Sequence, residues 1–128
     1  MGVRPPHLQI MAAFNELVAT AKCPACGATC VLRFQVHLWA SFGGDETGRF
    51  HRRTYELGQP FRWWAEADRR YSESHEAIDW APPGAGADLA ERCYGKCECC
   101  ATELLGTVSF RSQTATMVSA VEIDRGQD

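Results

Sequence analysis

Apolar and polar residues alternate most regularly just after Cys30. Leu32, Phe34, Val36 and Leu38 are separated by Arg33, Gln35 and His37, the period-two pattern of a strand with one face buried. Residues 50–57 read as a returning strand, stopped by Gly58-Gln59-Pro60. Residues 103–111 and 114–123 supply two more strands, joined near Ser112-Gln113. Helical spacing is rarer. Ile10, Met11, Phe14, Leu17 and Val18 carry it and predict a short helix before a first strand. Residues 65–77 are rich in helix formers, although their apolar stripe is thin. Prolines and glycines over residues 81–87 block both regular structures and predict a loop.

These elements fall into two similar halves. Residues 15–36 and 89–111 each run from an approach strand through a cysteine pair into a longer departing strand. The two halves look like parts of one ribbon, and the stretch between them is longer than a compact ribbon needs. The expected fold is therefore mainly β: an antiparallel ribbon with an inserted strand-plus-helix segment. In domain terms this gives a peripheral arm at 1–14, a single ribbon domain at 15–124 with the insertion at about 40–86, and a frayed tail at 125–128. The chain of 128 residues suits one domain and excludes a large catalytic barrel, which needs about 250 residues.

The chemistry sits in the cysteines, of which there are seven. Cys23/Cys26 and Cys97/Cys100 are two Cys-x-x-Cys pairs. Each can present two thiolates to one cation from a tight turn whose amides point at the sulfurs, and two such turns make a tetrahedral four-sulfur site. In the first, Pro24 fixes φ and Gly27 can supply positive φ. The second, Cys97-Glu98-Cys99-Cys100-Ala101, lacks both residues. The expected cofactor is structural Zn2+ on Cys23, Cys26, Cys97 and Cys100. Iron suits four thiolates too, but nothing suggests an electron-transfer partner. Zinc in such a site contributes on the order of 10 kcal/mol, comparable to the stability of a whole domain, so its removal is expected to unfold much of the chain.

Cys30, Cys93 and Cys99 are left over. Cys30 and Cys93 flank the pairs almost symmetrically and could approach each other as a second thiol pair, but read more simply as small buried hydrophobes. Cys93-x3-Cys97-x2-Cys100 also has the spacing of radical-SAM iron–sulfur enzymes, whose barrel this chain is too short to form. No basic start with an apolar run marks a secretion signal. No stretch approaches the roughly 18 apolar residues of a membrane span. A cytoplasmic location is therefore expected, and in that compartment clustered cysteines are metal ligands or reactive thiols rather than disulfides.

The turns and their flanking strands resemble the zinc-ribbon class, with rubredoxin-type knuckles. More loosely, Cys23, Phe34, Gly44, Tyr55-Glu56-Leu57-Gly58, Trp63 and Cys97, with the closing strands, are similar to small bacterial zinc-ribbon proteins. The resemblance implies a fold and a metal, and no activity.

No enzymatic signature competes with this reading. Four thiolates close a zinc shell that hydrolysis would need open. His7, His37, His51 and His75 have no spaced partners, and no nucleophile elbow, phosphate loop or dinucleotide fingerprint is present. The net charge of −3 argues against a nucleic-acid surface, except locally. Arg49, Arg52, Arg53, Arg62, Arg69 and Arg70 lie among Phe61, Trp63, Trp64, Tyr71 and Trp80. Adjacent Trp63 and Trp64 cannot share one core face, and exposed Trp, Tyr and Arg anchor protein interfaces. The leading expectation is a non-enzymatic protein-interaction or adaptor module, binding a protein partner through Arg52, Arg53, Trp63, Trp64, Arg70 and Tyr71. One alternative is a nucleic-acid-binding zinc ribbon using the arginines of 49–70. The other is a thiol-based redox protein acting through Cys97, Cys99 and Cys100.

Overall fold

The computed structural model describes residues 13–41, 50–65, 67–68 and 88–126. Those residues form six strands and no helix: β1 (Asn15–Lys22), β2 (Thr29–Val36), β3 (Thr54–Glu56), β4 (Asp88–Cys97), β5 (Glu103–Arg111) and β6 (Thr114–Ile123). The protein is mainly β. The helix expected over residues 65–77 falls almost wholly outside the described residues, as do residues 1–12 of the arm. No helix among the described residues is long and apolar enough to cross a membrane.

All six strands share one sheet in the order β3-β1-β2-β4-β5-β6. Four of the five pairings are antiparallel, but β1 and β3 run parallel, with Leu17 opposite Tyr55. The sheet is therefore mixed, where an antiparallel one was expected. Local geometry shows how the returning strand came to be short. Arg52 adopts a left-handed φ of 56°, which interrupts an extended run, so only Thr54–Glu56 pairs as a strand. Arg52 N–H donates to the Phe14 carbonyl (2.7 Å) and Glu16 N–H to the Arg53 carbonyl (2.8 Å), seating that short strand on β1.

Alternation places the core. In β2, Cys30, Leu32, Phe34 and Val36 are buried, and in β5 Leu104, Val108 and Phe110 are. Leu17 is buried in β1 while Val18 turns to the other face, so the helical spacing of these two residues yields to strand pairing. Phe34 lies across Gly95 of β4 and Gly106 of β5. A Cβ at Gly106 would stand 2.7 Å from the ring, so glycine is what lets the aromatic seat flat on the sheet.

The sheet curls until its ends meet. Gly58 N–H donates to the Ala115 carbonyl (2.9 Å) and Phe61 N–H to the Gln113 carbonyl (2.7 Å), joining the chain after β3 to the start of β6. Tyr55 stacks on Phe61 at 4.0 Å, and Phe61 meets Phe110 edge-on at 5.1 Å. Buried Asn15 fixes the same region. Its amide donates to the carbonyls of Trp39 (3.1 Å) and Phe50 (3.4 Å), and its oxygen accepts the Arg53 N–H (3.0 Å).

Candidate metal centre

The hairpin β1–β2 turns at Cys23–Ala28, and the hairpin β4–β5 turns at Cys97–Thr102. The pairing of β2 with β4 sets Leu32 opposite Cys97, which brings the two turns to one end of the sheet. Both turns are closed by the same pair of backbone hydrogen bonds. Cys23 N–H donates to Ala28 O (2.9 Å) and Gly27 N–H to Cys23 O (2.8 Å). Cys97 N–H donates to Thr102 O (3.1 Å) and Ala101 N–H to Cys97 O (2.8 Å).

The four expected ligands are together. The sulfurs of Cys23, Cys26, Cys97 and Cys100 all lie within 4.8 Å of one another and could hold a metal ion. A zinc–sulfur bond of about 2.3 Å implies a tetrahedral edge of about 3.8 Å, and Cys23 Sγ stands 3.8 Å from Cys100 Sγ. In each turn the first cysteine is buried and the second exposed. Ala25 N–H donates to Cys23 Sγ at 3.3 Å, and the amides of Cys100 and Cys99 point at Cys97 in the matching way.

The thiols of the second turn are driven apart electrostatically. Burial pushes the Cys97 thiol up to about 11, against the pull of those two amides. The Thr102 hydroxyl, 3.2 Å from Cys100 Sγ, and then the Thr102 amide stabilise the Cys100 thiolate and bring it down to about 6. A bound cation would supply the positive charge that a buried Cys97 thiolate needs.

The remaining cysteines correct one expectation. Cys30 is joined to Cys99 in a disulfide spanning the two hairpins, with Cα atoms 6.1 Å apart. Clustered cysteines were expected to avoid disulfides, and Cys30 was paired, if at all, with Cys93. The register explains the difference. Cys30 sits at the start of β2, next to the second turn, whereas Cys93 faces Gly106 farther along β4. Cys93 is buried, its sulfur 3.5 Å from the Glu91 carbonyl, and burial raises its thiol far above the ordinary range.

Of the six residues expected to meet a partner, Arg52, Arg53, Trp63 and Trp64 are among the described residues. Trp63 is only 8% exposed, packed on Trp39, Phe50 and Trp64. Trp64 is half-buried. Arg52 is exposed, its guanidinium 5.9 Å from the Phe14 ring, and Arg53 is partly buried beside Asn15. Arg70 and Tyr71 lie outside the described residues. Sequence reasoning missed Thr102 and Glu98, and it named Cys99 without pairing it with Cys30. Glu98 N–H donates to the Val31 carbonyl at 2.9 Å, tying the second turn to β2, and its carboxylate pairs with Arg33, which also reaches Glu16.

Comparison with family models, with curated proteins and with solved structures found no match to this chain.

Proposed function

We propose that this protein is a non-enzymatic zinc-ribbon module. In this reading structural Zn2+ on Cys23, Cys26, Cys97 and Cys100 ties its two hairpins together, and the elaboration between them engages a protein partner. The observation that carries the metal reading is the convergence of four thiols from two turns of matching backbone geometry. Four sulfurs and no nitrogen or carboxylate ligand favour zinc held for structure, since such a shell leaves no position for substrate or activated water. The adaptor reading draws on the exposed Arg52 and on the arginine and aromatic content of residues 49–80. With Trp63 in the core, Arg52 and Arg53 are the described positions at which contact with a partner is expected.

Thiol counting with zinc release tests the metal reading. Five cysteines are outside the disulfide. Four of them are ligands in this reading and the fifth is the buried Cys93. The zinc-loaded chain should show almost no fast-reacting thiols, and a chelator should release one zinc per chain together with four reactive thiols. Four fast thiols in the as-purified chain, with no zinc, would refute it. The partner reading is tested by capture from native lysate at moderate salt, compared with an Arg52→Glu/Arg53→Glu variant. Equal recovery of the same proteins by both chains removes these arginines from the interface.

A further inference from the structure

Six of the cysteine sulfurs gather at the turn end of the sheet, and the four-thiol site uses only four of them. The other two, Cys30 and Cys99, are continuous with that site. Cys97 Sγ lies within 4.8 Å of both of them, and also within 4.8 Å of Cys23, Cys26 and Cys100. Cys26 Sγ is 3.8 Å from Cys30 Sγ, the edge length of about 3.8 Å that four thiolates adopt around zinc. Two tetrahedra sharing one edge require six sulfurs, two of them common to both. Here Cys97 is within reach of every sulfur of both sets, and Cys26 joins the first set to Cys30.

We propose that reduction of the Cys30–Cys99 disulfide opens a second position for a soft divalent ion. The six cysteines then hold two ions, with Cys26 and Cys97 bridging them. This rests on Cys23, Cys26, Cys97 and Cys100 being ligands of the first ion. In the disulfide, Cys30 and Cys99 have no thiolate to offer, because metal binding requires the deprotonated thiol, and the capacity is one ion. Reduced, each offers an anionic sulfur beside Cys97. The capacity for metal thus follows the oxidation state of a disulfide that itself bridges the two turns.

A water-soluble trialkylphosphine serves as the reductant, since it does not compete as a thiolate would. Phosphorus attacks the exposed Cys99 sulfur and the S–S bond breaks, with Cys30 leaving as a thiolate. Water then hydrolyses the sulfur–phosphorus bond to give the phosphine oxide and the Cys99 thiol. Two electrons pass from phosphorus to the two sulfurs, and one water supplies the oxide oxygen and both thiol protons. Binding of the second dication releases those two protons to solvent.

The test is native mass spectrometry of the full chain, loaded with Zn2+ either reduced and anaerobic or air-oxidised. The expected result is two zinc ions per reduced chain and one per oxidised chain. In a parallel titration of the reduced chain, the thiolate-to-metal charge-transfer band of Co2+ should saturate near two equivalents. A Cys99→Ser chain should bind one ion under either condition. One ion in the reduced wild-type chain overturns the inference and leaves the four-thiol reading standing. Two ions in reduced Cys99→Ser place the second elsewhere and also overturn it. No zinc in either wild-type form overturns both readings. The two wild-type measurements decide the matter even where Cys99→Ser fails to fold.

Discussion

In the first cysteine turn the residue after Cys23 is Pro24; in the second, the residue after Cys97 is Glu98. Gly27 follows Cys26, with φ of 76°, and Ala101 follows Cys100, with φ of 61°. The backbone is the same in both, and so are its closing hydrogen bonds and the burial of the first sulfur and exposure of the second. The difference lies in what surrounds each turn. Proline has no N–H to give, and the first turn gives none to a neighbouring strand at that position. Glu98 uses its N–H on the Val31 carbonyl and its carboxylate on Arg33. The second turn is therefore both a cysteine turn and a joint between hairpins. Its lack of proline follows from that second task, whereas its lack of glycine has no such reason.

The largest effects should come from the metal, and they test whether the two turns are equivalent partners in it. Cys23→Ser and Cys97→Ser should each abolish stoichiometric zinc binding, which elemental analysis of purified protein would show. If one variant keeps a full equivalent, the turns are not equal ligand donors. Chelation should then separate the metal from the disulfide, because in the proposed reading both join the same two hairpins. The disulfide connects residues 69 apart in sequence, and closing a loop of that length stabilises by about 4 kcal/mol in the chain-entropy account. With chelator, the oxidised chain should keep a cooperative thermal transition at lower temperature, followed by circular dichroism. The reduced chain, with neither link, should lose that transition. Identical melts in the two states would show that the disulfide does not substitute for the metal.

Backbone substitutions at matched positions come next. Gly27→Ala meets no steric obstacle, since nothing lies within 4 Å of the added carbon, so its cost is the left-handed φ alone, about 1–2 kcal/mol. Glu98→Pro should cost about 1 kcal/mol for the hydrogen bond to Val31, and Glu98→Ala, which keeps the N–H, should cost less. Urea midpoints at constant slope would rank them. If Glu98→Pro is no worse than Glu98→Ala, the joint to β2 contributes nothing to stability.

Much of the sheet was legible because its signals are local. Alternation around Leu32, Phe34 and Val36 marks β2, and Ser112-Gln113 punctuates β5 and β6, whose observed limits match the expected ones. The four converging cysteines were legible from spacing alone. What was not legible depends on register between distant strands. Nothing near Cys30 in the sequence says that Leu32 will face Cys97, yet that pairing is what brings Cys30 to Cys99. The parallel seat of β3 on β1 depends on Arg52 turning left-handed, a conformation no residue-type rule assigns to arginine. Trp63 and Phe61 are as consistent with an interface as with a core until the curl of the sheet places them inside. Asn15 reads as an ordinary polar residue of a strand. Only its three backbone partners, drawn from Trp39, Phe50 and Arg53, show why a buried amide is tolerated there.

The smallest expected effect is the sharpest probe of the comparison. Ala101 adopts a left-handed φ of 61° and carries a Cβ that this conformation disfavours. Its N–H nonetheless closes the turn on the Cys97 carbonyl. Ala101→Gly should remove that penalty while adding the conformational freedom of glycine to the unfolded chain, for a net gain of about 0.5 kcal/mol. The substitution touches no sulfur, so zinc stoichiometry should not change. The zinc-loaded melting temperature should rise slightly, and the same gain should persist after chelation of the oxidised chain if the turn is formed without metal. A gain confined to the zinc-loaded chain would mean that the metal shapes the second turn. A loss in both would mean that Ala101 contributes packing that outweighs its backbone cost, and the two turns would then differ in more than the Glu98 joint.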